Sequence, residues 1–241
     1  MVPLLFIHGT GGDAASWDRV TPFLAERARV IAYDRRGFGR PHAAHAEDAR
    51  AILDERAPGE AAIVVGASAG GIVALELAAQ HPSRVRALVL VEPPLWARKE
   101  GDLRMTLGMI GVLWHAARKR PRQAAAAFFR NVTRDRSGGN GFDALDEARR
   151  ERLLAHADDV LAELRAGTGE SLTPARLGAI ACPTTLILGA RSSPFFARVG
   201  AKLAAAMPSL RTVTIEGAGH MIAREEPRAL ADVIADVITS S

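Results

Sequence analysis

The sequence contains a single cysteine, Cys182, among its 241 residues, so no disulfide can form within one chain. Such cysteine usage is typical of reducing compartments, and we expect a cytoplasmic location. The apolar start, residues 1–7, lacks the positive charge of a secretion signal. No apolar run approaches the roughly 18 residues that a membrane-spanning helix needs. These absences predict a soluble protein without internal disulfides.

The sequence also lacks any histidine, cysteine and acidic cluster with the spacing of metal ligands, so we expect no metal and no other cofactor. The formal net charge is +4, and the basic excess is local, because residues 98–136 hold ten Lys/Arg and three Asp/Glu. No nucleic-acid motif accompanies this cluster, and such clusters are usually solvated helix faces. The alternative is that the cluster steers an anionic substrate. We expect a small-molecule substrate, no nucleic-acid or membrane partner, and a monomer or homodimer.

What the sequence does contain is a regular alternation of short apolar runs and helical patterns. The runs are rich in Val, Ile and Leu and barely alternate with polar residues, as expected of parallel strands buried on both faces. The predicted strands are Leu4–His8, Arg29–Asp34, Ala62–Gly66, Ala87–Val91, Thr184–Gly189 and Thr212–Glu216. The predicted helices between them are Trp17–Arg27, His45–Arg56, Gly70–His81, Pro194–Ala206 and Pro227–Ile238. This order predicts an α/β fold with helices on both faces of one sheet.

The stretch 93–176 breaks this alternation, since it shows helical patterns and no strand pattern. Its predicted helices are Leu103–Arg118, Arg122–Val132, Ala144–His156 and Val160–Arg165. Residues 137–141 form a glycine-rich loop between two of them. We interpret 93–176 as a helical cap inserted into a core made of residues 1–92 and 177–241.

The clearest chemical motif is Gly66–Gly70, which reads G-A-S-A-G between a predicted strand and a predicted helix. This is the G-x-S-x-G pattern of a sharp strand–turn–helix connection that exposes the central serine. Small neighbours are needed because the strained backbone leaves no room for larger side chains. We interpret Ser68 as a nucleophile; the alternative is a purely structural turn.

A second glycine-rich segment, His8–Gly12, follows the first predicted strand. In enzymes with such a nucleophile turn, a backbone N–H of this loop and that of the residue after the serine stabilise the oxyanion of a tetrahedral intermediate. We therefore predict the N–H groups of Thr10 and Ala69 as oxyanion-hole donors. His8 itself is interpreted as an anchor of the loop, because the nucleophile needs only one base.

A third segment, Gly217–His220, reads G-A-G-H after the last predicted strand. A flexible loop here brings an imidazole over the sheet edge, where it can take the proton of Ser68. We predict His220 as the general base. The other histidines are interpreted as surface or helix-capping residues: His42, His45, His81, His115 and His156.

In their order along the chain, these motifs resemble those of the α/β-hydrolase superfamily. The matching segments are His8–Gly12, Asp34–Gly39 (D-R-R-G-F-G), Gly66–Gly70 and Gly217–His220. The resemblance covers the chain apart from the insertion, and it implies a three-layer fold, a Ser–acid–His triad, an oxyanion hole and a helical cap. It implies no particular substrate, because this fold carries many chemistries.

The triad acid departs from the usual pattern of that superfamily. Its members usually carry an Asp after the strand that corresponds to Thr184–Gly189, where this chain has Ser192. A neutral hydroxyl cannot stabilise an imidazolium as a carboxylate does. The superfamily's other acid position follows the preceding strand, and Glu92 stands there, so we predict Glu92 as the acid. The alternative is a structural glutamate and a Ser–His dyad without an acid.

The N-terminus departs from the pattern as well. The first predicted strand begins almost at residue 3, whereas members of the superfamily usually carry a hairpin before it. We therefore predict a mostly parallel, six-stranded sheet that lacks this hairpin. In that sheet Arg29–Asp34 is an exposed edge strand.

A serine at the nucleophile turn favours acyl transfer through an acyl-enzyme, so the predicted function is hydrolysis of a small carboxylic ester or lactone. Three alternatives keep the same triad: hydrolysis of a C–C bond, hydrolysis of a thioester, and cofactor-free acyl transfer or peroxidation. A non-catalytic small-molecule binder is an alternative of another class.

The insertion supplies apolar side chains that suggest a pocket for a hydrophobic acyl or aromatic group. The candidate pocket residues are Trp96, Met109, Trp114 and Phe128. The alternative is that these side chains only hold the cap against the core.

Overall fold

The computed structural model describes residues 1–37, 39–100 and 103–240, with the backbone alone at positions 98 and 100. Phe38, which belongs to the motif Asp34–Gly39, lies outside the described residues.

Six strands form one sheet in the described part, in the order β2-β1-β3-β4-β5-β6, and every pairing between neighbours is parallel. They are β1 (Pro3–Ile7), β2 (Arg29–Ala32), β3 (Ala62–Ala67), β4 (Val85–Val91), β5 (Thr184–Gly189) and β6 (Leu210–Ile215). Each predicted strand is present, with ends that differ by no more than two residues. The α/β fold class and the six-stranded sheet are thereby confirmed.

Helices connect the strands on both sides of the sheet. They are α1 (His42–Arg56), α2 (Ala69–Gln80), α3 (Ala97–Glu100), α4 (Leu103–Ala117), α5 (Pro121–Val132), α6 (Glu147–Ala155), α7 (Ala157–Ala166), α8 (Pro174–Gly178), α9 (Pro194–Ala206), α10 (Ile222–Glu225) and α11 (Pro227–Ser240). Within the described ranges, none of them combines the length and apolar character needed to cross a membrane.

The sheet is buried on both faces, which explains why its strands read as continuous apolar runs. In β1, Leu5 and Ile7 belong to the apolar cluster that α1, α2 and α9 complete. Leu4 and Phe6 point the other way, into a cluster with Trp17 and the apolar face of α11. The rings of Phe6 and Trp17 lie 4.8 Å apart between centroids. Alternate side chains thus fill two cores, and the molecule has three layers.

The predicted helix Trp17–Arg27 is wrong. The chain makes two short 3-10 turns there, Ala14–Trp17 and Thr21–Phe23. Pro22 lies within the second turn, and proline removes a backbone N–H that a continuous α-helix would use. The apolar residues of the segment are nevertheless buried against the sheet: Trp17, Val20 and Leu24.

Strand β2 lies at an edge of the sheet and pairs with β1 alone, as predicted. At its start Arg29 forms an ion pair with Glu60 at 2.6 Å, and both side chains are well exposed. Charged side chains on an edge strand disfavour pairing with another sheet. This edge strand therefore carries charged side chains, one of the features that keep a sheet from pairing with a strand of another molecule.

Helices α3–α7 form an insert between β4 and β5. The insert has an apolar cluster of its own around Phe128, Phe129 and Phe142, in which the last two rings stack with centroids 5.5 Å apart. This agrees with helices rather than strands over this stretch. The division into a core of 1–92 and 177–241 and a cap of 93–176 stays a prediction.

Two histidines beside the sheet are buried and neutral. The Nδ1–H of His8 donates to the Gly9 carbonyl at 2.8 Å, and its Nε2 accepts from the Arg35 backbone N–H at 3.0 Å. Burial, aided by the charge of Arg35, lowers the pKa of His8 to about 4. The same causes lower the pKa of His45 to about 4. His42 is also buried. The interpretation of His42 and His45 as surface or capping residues is therefore wrong, because α1 presents both side chains to the interior.

We predict that the free energy of unfolding falls as the pH is lowered from 6.5 toward 4. In this range the unfolded chain binds a proton at His8 and the native protein does not, since its pKa there is about 4. Protonation therefore favours unfolding, by up to about 3 kcal/mol for this one group. Urea unfolding at several pH values should show a shallower loss in His8→Asn than in the exposed control His156→Asn. An equal loss in both variants would contradict the prediction.

Candidate active site

Ser68 lies in the sharp turn between β3 and α2. Its backbone has φ 51° and ψ −124°, a strained conformation for a residue with a side chain. Two backbone hydrogen bonds hold the turn, each of 2.8 Å: Ser68 N–H donates to Val91 O, and Gly71 N–H donates to Ser68 O. The strain, of about 1–3 kcal/mol, is therefore maintained by bonds on both sides of the residue.

Glycine is required at both ends of this turn. A Cβ at position 66 would lie 2.4 Å from the carbonyl oxygen of Gly70, and one at position 70 would lie 2.2 Å from that of Ile7. Both neighbours are backbone atoms, so neither can rotate away as a side chain could. The G-x-S-x-G spacing therefore follows from the close approach of β1, β3 and the start of α2.

The loop after β6 positions His220. Within it, Ala218 O accepts a backbone hydrogen bond of 2.8 Å from the segment after β5, and Gly219 N–H donates to the carboxylate of Glu225. The imidazole stacks on the ring of Phe196, with centroids 4.5 Å apart and planes 11° apart. These contacts fix both the loop and the plane of the imidazole ring.

Glu92 directly follows β4 and is completely buried. Its Oε2 lies 2.7 Å from Nδ1 of His220, and its Oε1 accepts from Gly189 N–H at 2.8 Å. An ionised carboxylate only accepts hydrogen bonds, so Nδ1 carries the ring proton and Nε2 is left as an acceptor. The structure thus brings together the two residues that the sequence analysis selected as acid and base.

Ser192 occupies the position where the superfamily usually has its acid. Its side chain is buried, and its Oγ has no hydrogen-bond partner among the described residues. The histidine of this site pairs with Glu92 instead. The described contact of Ser192 with the site is its backbone N–H, which donates to Gly189 O at 3.1 Å.

A cavity of about 320 Å³ is lined by both Ser68 and His220, and residues of the helical insert contribute much of its wall. Thr10 and Ala69 also line it, and within the described ranges neither backbone N–H donates a hydrogen bond. Two free N–H groups beside a serine are what oxyanion binding requires. No hydrogen bond between described residues joins Ser68 Oγ to His220; such bonds often tighten only when substrate binds.

Two of the four predicted pocket residues, Met109 and Phe128, line this cavity. Trp96 packs against the core, and its indole N–H donates to a backbone carbonyl at 3.2 Å. Trp114 is 45% exposed, with the guanidinium of Arg118 3.9 Å from its ring centroid. The pocket prediction is wrong for both tryptophans. Positions 109 and 114 of α4 are five residues apart and therefore face in different directions.

Sequence reasoning missed a buried polar group at the same cavity. Glu163 of α7 lines the cavity and pairs with Arg35 at 2.6 Å. Burial raises the pKa of Glu163, but the charge and hydrogen bond of Arg35, together with the nearby Thr10 hydroxyl, outweigh it and lower that pKa. His42 also lines the cavity, and burial lowers its pKa, so its ring is neutral at pH 7. The sequence carried one sign of this buried charge: Glu163 lies three residues after the apolar Val160, so both are on the same face of α7.

Comparison with known proteins places the chain in a family. A family model described as the alpha/beta hydrolase family matches residues 4–233. An esterase from Mycobacterium tuberculosis is 31% identical, over 98% of this chain and 82% of that esterase. The structure of a thermophilic esterase from Thermogutta terrifontis has a TM-score of 0.75 and 23% identity, over 100% of this chain and 90% of that chain. At 23% identity, the likeness to the Thermogutta structure shows a shared fold alone.

A 2-hydroxymuconate semialdehyde hydrolase from a Pseudomonas species is 45% identical over a shorter stretch, 37% of this chain and 35% of that enzyme. Several other curated relatives are also matched over less than half of their own length. The family model and the esterase, in contrast, span nearly the whole chain. The chain therefore belongs to the alpha/beta hydrolase family and is a hydrolase enzyme with esterases among its relatives.

Proposed function

We propose that this enzyme is a serine hydrolase that cleaves a small carboxylic ester or lactone through an acyl-enzyme intermediate. Ser68 is the nucleophile, His220 is the general base and Glu92 is the triad acid. The observation that carries the proposal is the Glu92 carboxylate, which bridges Gly189 N–H and His220 Nδ1 at 2.8 and 2.7 Å. This arrangement orients the ring and reserves Nε2 for the serine proton.

In the acylation half of the reaction, Ser68 Oγ attacks the carbonyl carbon while Nε2 of His220 takes the serine proton. The imidazolium that forms is stabilised by the buried carboxylate of Glu92. The N–H groups of Thr10 and Ala69 bind the developing oxyanion, and one such donor contributes about 3 kcal/mol in measured cases. When the intermediate collapses, the bond to the alcohol breaks and the alcohol leaves with the proton from His220.

Water completes the cycle. Nε2 of His220 takes a proton from water, and the oxygen of that water attacks the acyl carbon. The second tetrahedral intermediate uses the same N–H donors, and its collapse releases the acid and returns the proton to Ser68 Oγ. One base therefore serves both halves, and the proposal needs no metal or other cofactor.

The cavity supports a small and largely apolar substrate. Its volume of about 320 Å³ is at the lower end for small-molecule sites. Most of its lining is apolar, and Met105, Met109, Phe128 and Phe196 are among its large apolar side chains. A short acyl chain or an aromatic ring is the group that we propose for this space.

A second candidate, hydrolysis of a C–C bond with the same triad, draws support from one comparison. The relative that is 45% identical over 102 residues is named as a semialdehyde hydrolase. A 2-hydroxymuconate semialdehyde has no ester or amide bond, so its hydrolysis must break a bond between carbons. The alignment with that relative covers only part of each protein, so the ester reaction remains our first proposal.

We predict that Glu92→Gln lowers kcat by about 10⁴-fold with the fold intact. Glutamine can still accept from Gly189 N–H, but its amide N–H₂ then faces His220 and forces the wrong tautomer of the ring. Steady-state hydrolysis of a chromogenic ester measures the loss, and circular dichroism checks the fold.

Ser192→Ala is the matched control for that variant. It removes a buried hydroxyl that has no partner among the described residues, so we expect less than a threefold change in kcat. If Ser192→Ala lost activity and Glu92→Gln kept it, the assignment of the acid would be reversed.

We predict multiple turnovers on p-nitrophenyl esters of short acids, and a lower kcat/KM on dienoic ketones that require C–C cleavage. Activity in both cases should disappear in Ser68→Ala. A higher kcat/KM on the ketones would put the second candidate first. Saturable binding of both substrate classes without turnover would instead support a non-catalytic binder.

A further inference from the structure

The outer face of helix α4 is apolar and exposed. Five of the seven large apolar side chains that are exposed in the described part of the chain belong to this one helix. They are Leu103, Leu107, Ile110, Leu113 and Trp114, with exposed fractions of 45–75%. Positions 103, 107, 110 and 114 lie in one line along α4, and position 113 lies beside that line. We call these five residues the outer stripe. Exposed apolar side chains grouped in this way mark a binding surface.

The opposite face of α4 is apolar as well. Val112 is buried in the apolar cluster of the insert, and Met105 and Met109 line the catalytic cavity. A helix at the surface of a globular protein usually carries polar side chains on its outer face, and a helix that is apolar all round is usually buried. The packing of the inner face does not account for the outer stripe, which therefore needs an occupant from outside the chain's own fold.

A groove of about 540 Å³, which we call the basic groove, lies beside the outer stripe. Leu103 and Leu107 of the stripe line it, together with Arg104, Arg130 and Arg134. Arg130 pairs with an aspartate at 2.8 Å, whereas the other two arginines form no ion pair with a described residue. No acidic side chain lines the groove within the described ranges. Arginines are well suited to bind phosphate, and here they border an apolar surface.

The stripe and the groove together match the surface of a phospholipid bilayer. A phospholipid carries its phosphate next to its acyl chains, just as the basic groove borders the outer stripe. Aliphatic side chains and a tryptophan flanked by arginines are typical of helices that lie in this interface. More exposed basic residues follow α4, namely Arg118, Lys119, Arg120 and Arg122. The positive charge of the whole region favours anionic lipids.

A second copy of this chain matches the same surface less well. Copies related by a two-fold axis meet through the same patch, so the arginines of one protomer would face those of its partner. A stable interface also uses about 20–30 residues on each side, and the outer stripe supplies five. Both the charge and the size of the patch therefore favour a lipid surface over a dimer.

We propose that α4 docks this enzyme on a membrane surface. The outer stripe inserts into the boundary between headgroups and acyl chains, and the basic groove binds the phosphate of an anionic phospholipid. The sequence analysis expected no membrane partner, because no apolar run is long enough to span a bilayer. A helix that lies in the plane of the interface needs no such run. The proposal concerns where the enzyme works, and it does not depend on the ester reaction.

The first test is co-sedimentation of the whole chain with lipid vesicles. One set of vesicles contains equal parts of phosphatidylcholine and phosphatidylglycerol, and the other contains phosphatidylcholine alone. The protein should bind the anionic vesicles at least about tenfold more tightly, because each basic side chain near the surface adds to the attraction. The preference should shrink as salt is added.

Tryptophan fluorescence separates insertion from adsorption by charge alone, which a chain with a net charge of +4 can also show. Trp114 is 45% exposed, whereas Trp17 is buried and Trp96 packs against the core. The emission should shift to shorter wavelength on addition of anionic vesicles, because the indole of Trp114 leaves water. Trp114→Phe should still sediment with the vesicles but should not show the shift.

Two double variants test the stripe and the groove separately. Leu107→Gln with Ile110→Gln should weaken vesicle binding by about tenfold or more, because less apolar surface is buried in the bilayer. Glutamine is a good helix former, and both positions are exposed, so the fold should be retained. The matched control is Phe23→Gln, which changes an apolar side chain that is 43% exposed elsewhere on the surface.

For the groove, Arg104→Gln with Arg134→Gln should weaken binding to anionic vesicles by about tenfold or more. The control, Arg27→Gln with Arg56→Gln, removes the same net charge from exposed positions outside the insert and should have a smaller effect. None of the side chains changed at α4 or in the groove in these double variants lines the catalytic cavity. Hydrolysis of a water-soluble p-nitrophenyl ester should therefore be unchanged in both double variants.

Several results would overturn the proposal. These are no binding to anionic vesicles, binding without the Trp114 shift, and equal binding by Leu107→Gln with Ile110→Gln and the wild type. Light scattering adds a further one: a stable dimer that this double variant converts to a monomer would show that a second copy occupies the stripe. Absence of both vesicle binding and a dimer would point to an acidic protein partner instead. In each case the proposed ester hydrolysis is unaffected, because it is measured on a soluble ester.

Discussion

The carboxylate of Glu92 joins the ends of three neighbouring strands. It follows β4, accepts from Gly189 at the end of β5 and meets the imidazole that the loop after β6 carries. A buried carboxylate is unfavourable unless both oxygens are paired, and here both are. Its own backbone has φ 45°, so the pairing also holds a strained residue in place. The orientation of His220 therefore depends on the register of half the sheet.

A second buried pair connects the sheet to the helical insert. Arg35 lies just after the edge strand β2, and Glu163 belongs to α7. Their ion pair therefore joins the segment after β2 to the part of the helical insert that lines the cavity. Loss of one partner would leave an uncompensated charge, at a cost of about 3–5 kcal/mol. The insert is thus tied to the core at the place where it faces Ser68.

Much of the fold and of the reacting groups could be predicted from sequence, because each depends on short-range patterns. Buried parallel strands give continuous apolar runs, and a nucleophile turn requires glycines that no other residue replaces. Glu92 could be selected because one carboxylate stood at one of two allowed places. The pocket could not be predicted in the same way. Which faces of α1, α4 and α7 meet the core is decided by tertiary packing. The sequence pattern therefore misplaces Trp114, assigns His42 to the surface or a helix cap, and does not select Glu163.

The account as a whole depends on the claim that His220 activates Ser68. A fluorophosphonate probe tests this directly, since it reacts with a serine whose proton can be taken by a nearby base. Intact-mass measurement and peptide mapping should find one label per chain, on the peptide that contains Ser68, and no label in His220→Ala. Labelling at another residue, equal labelling in His220→Ala, or no labelling of the wild-type enzyme would contradict the account.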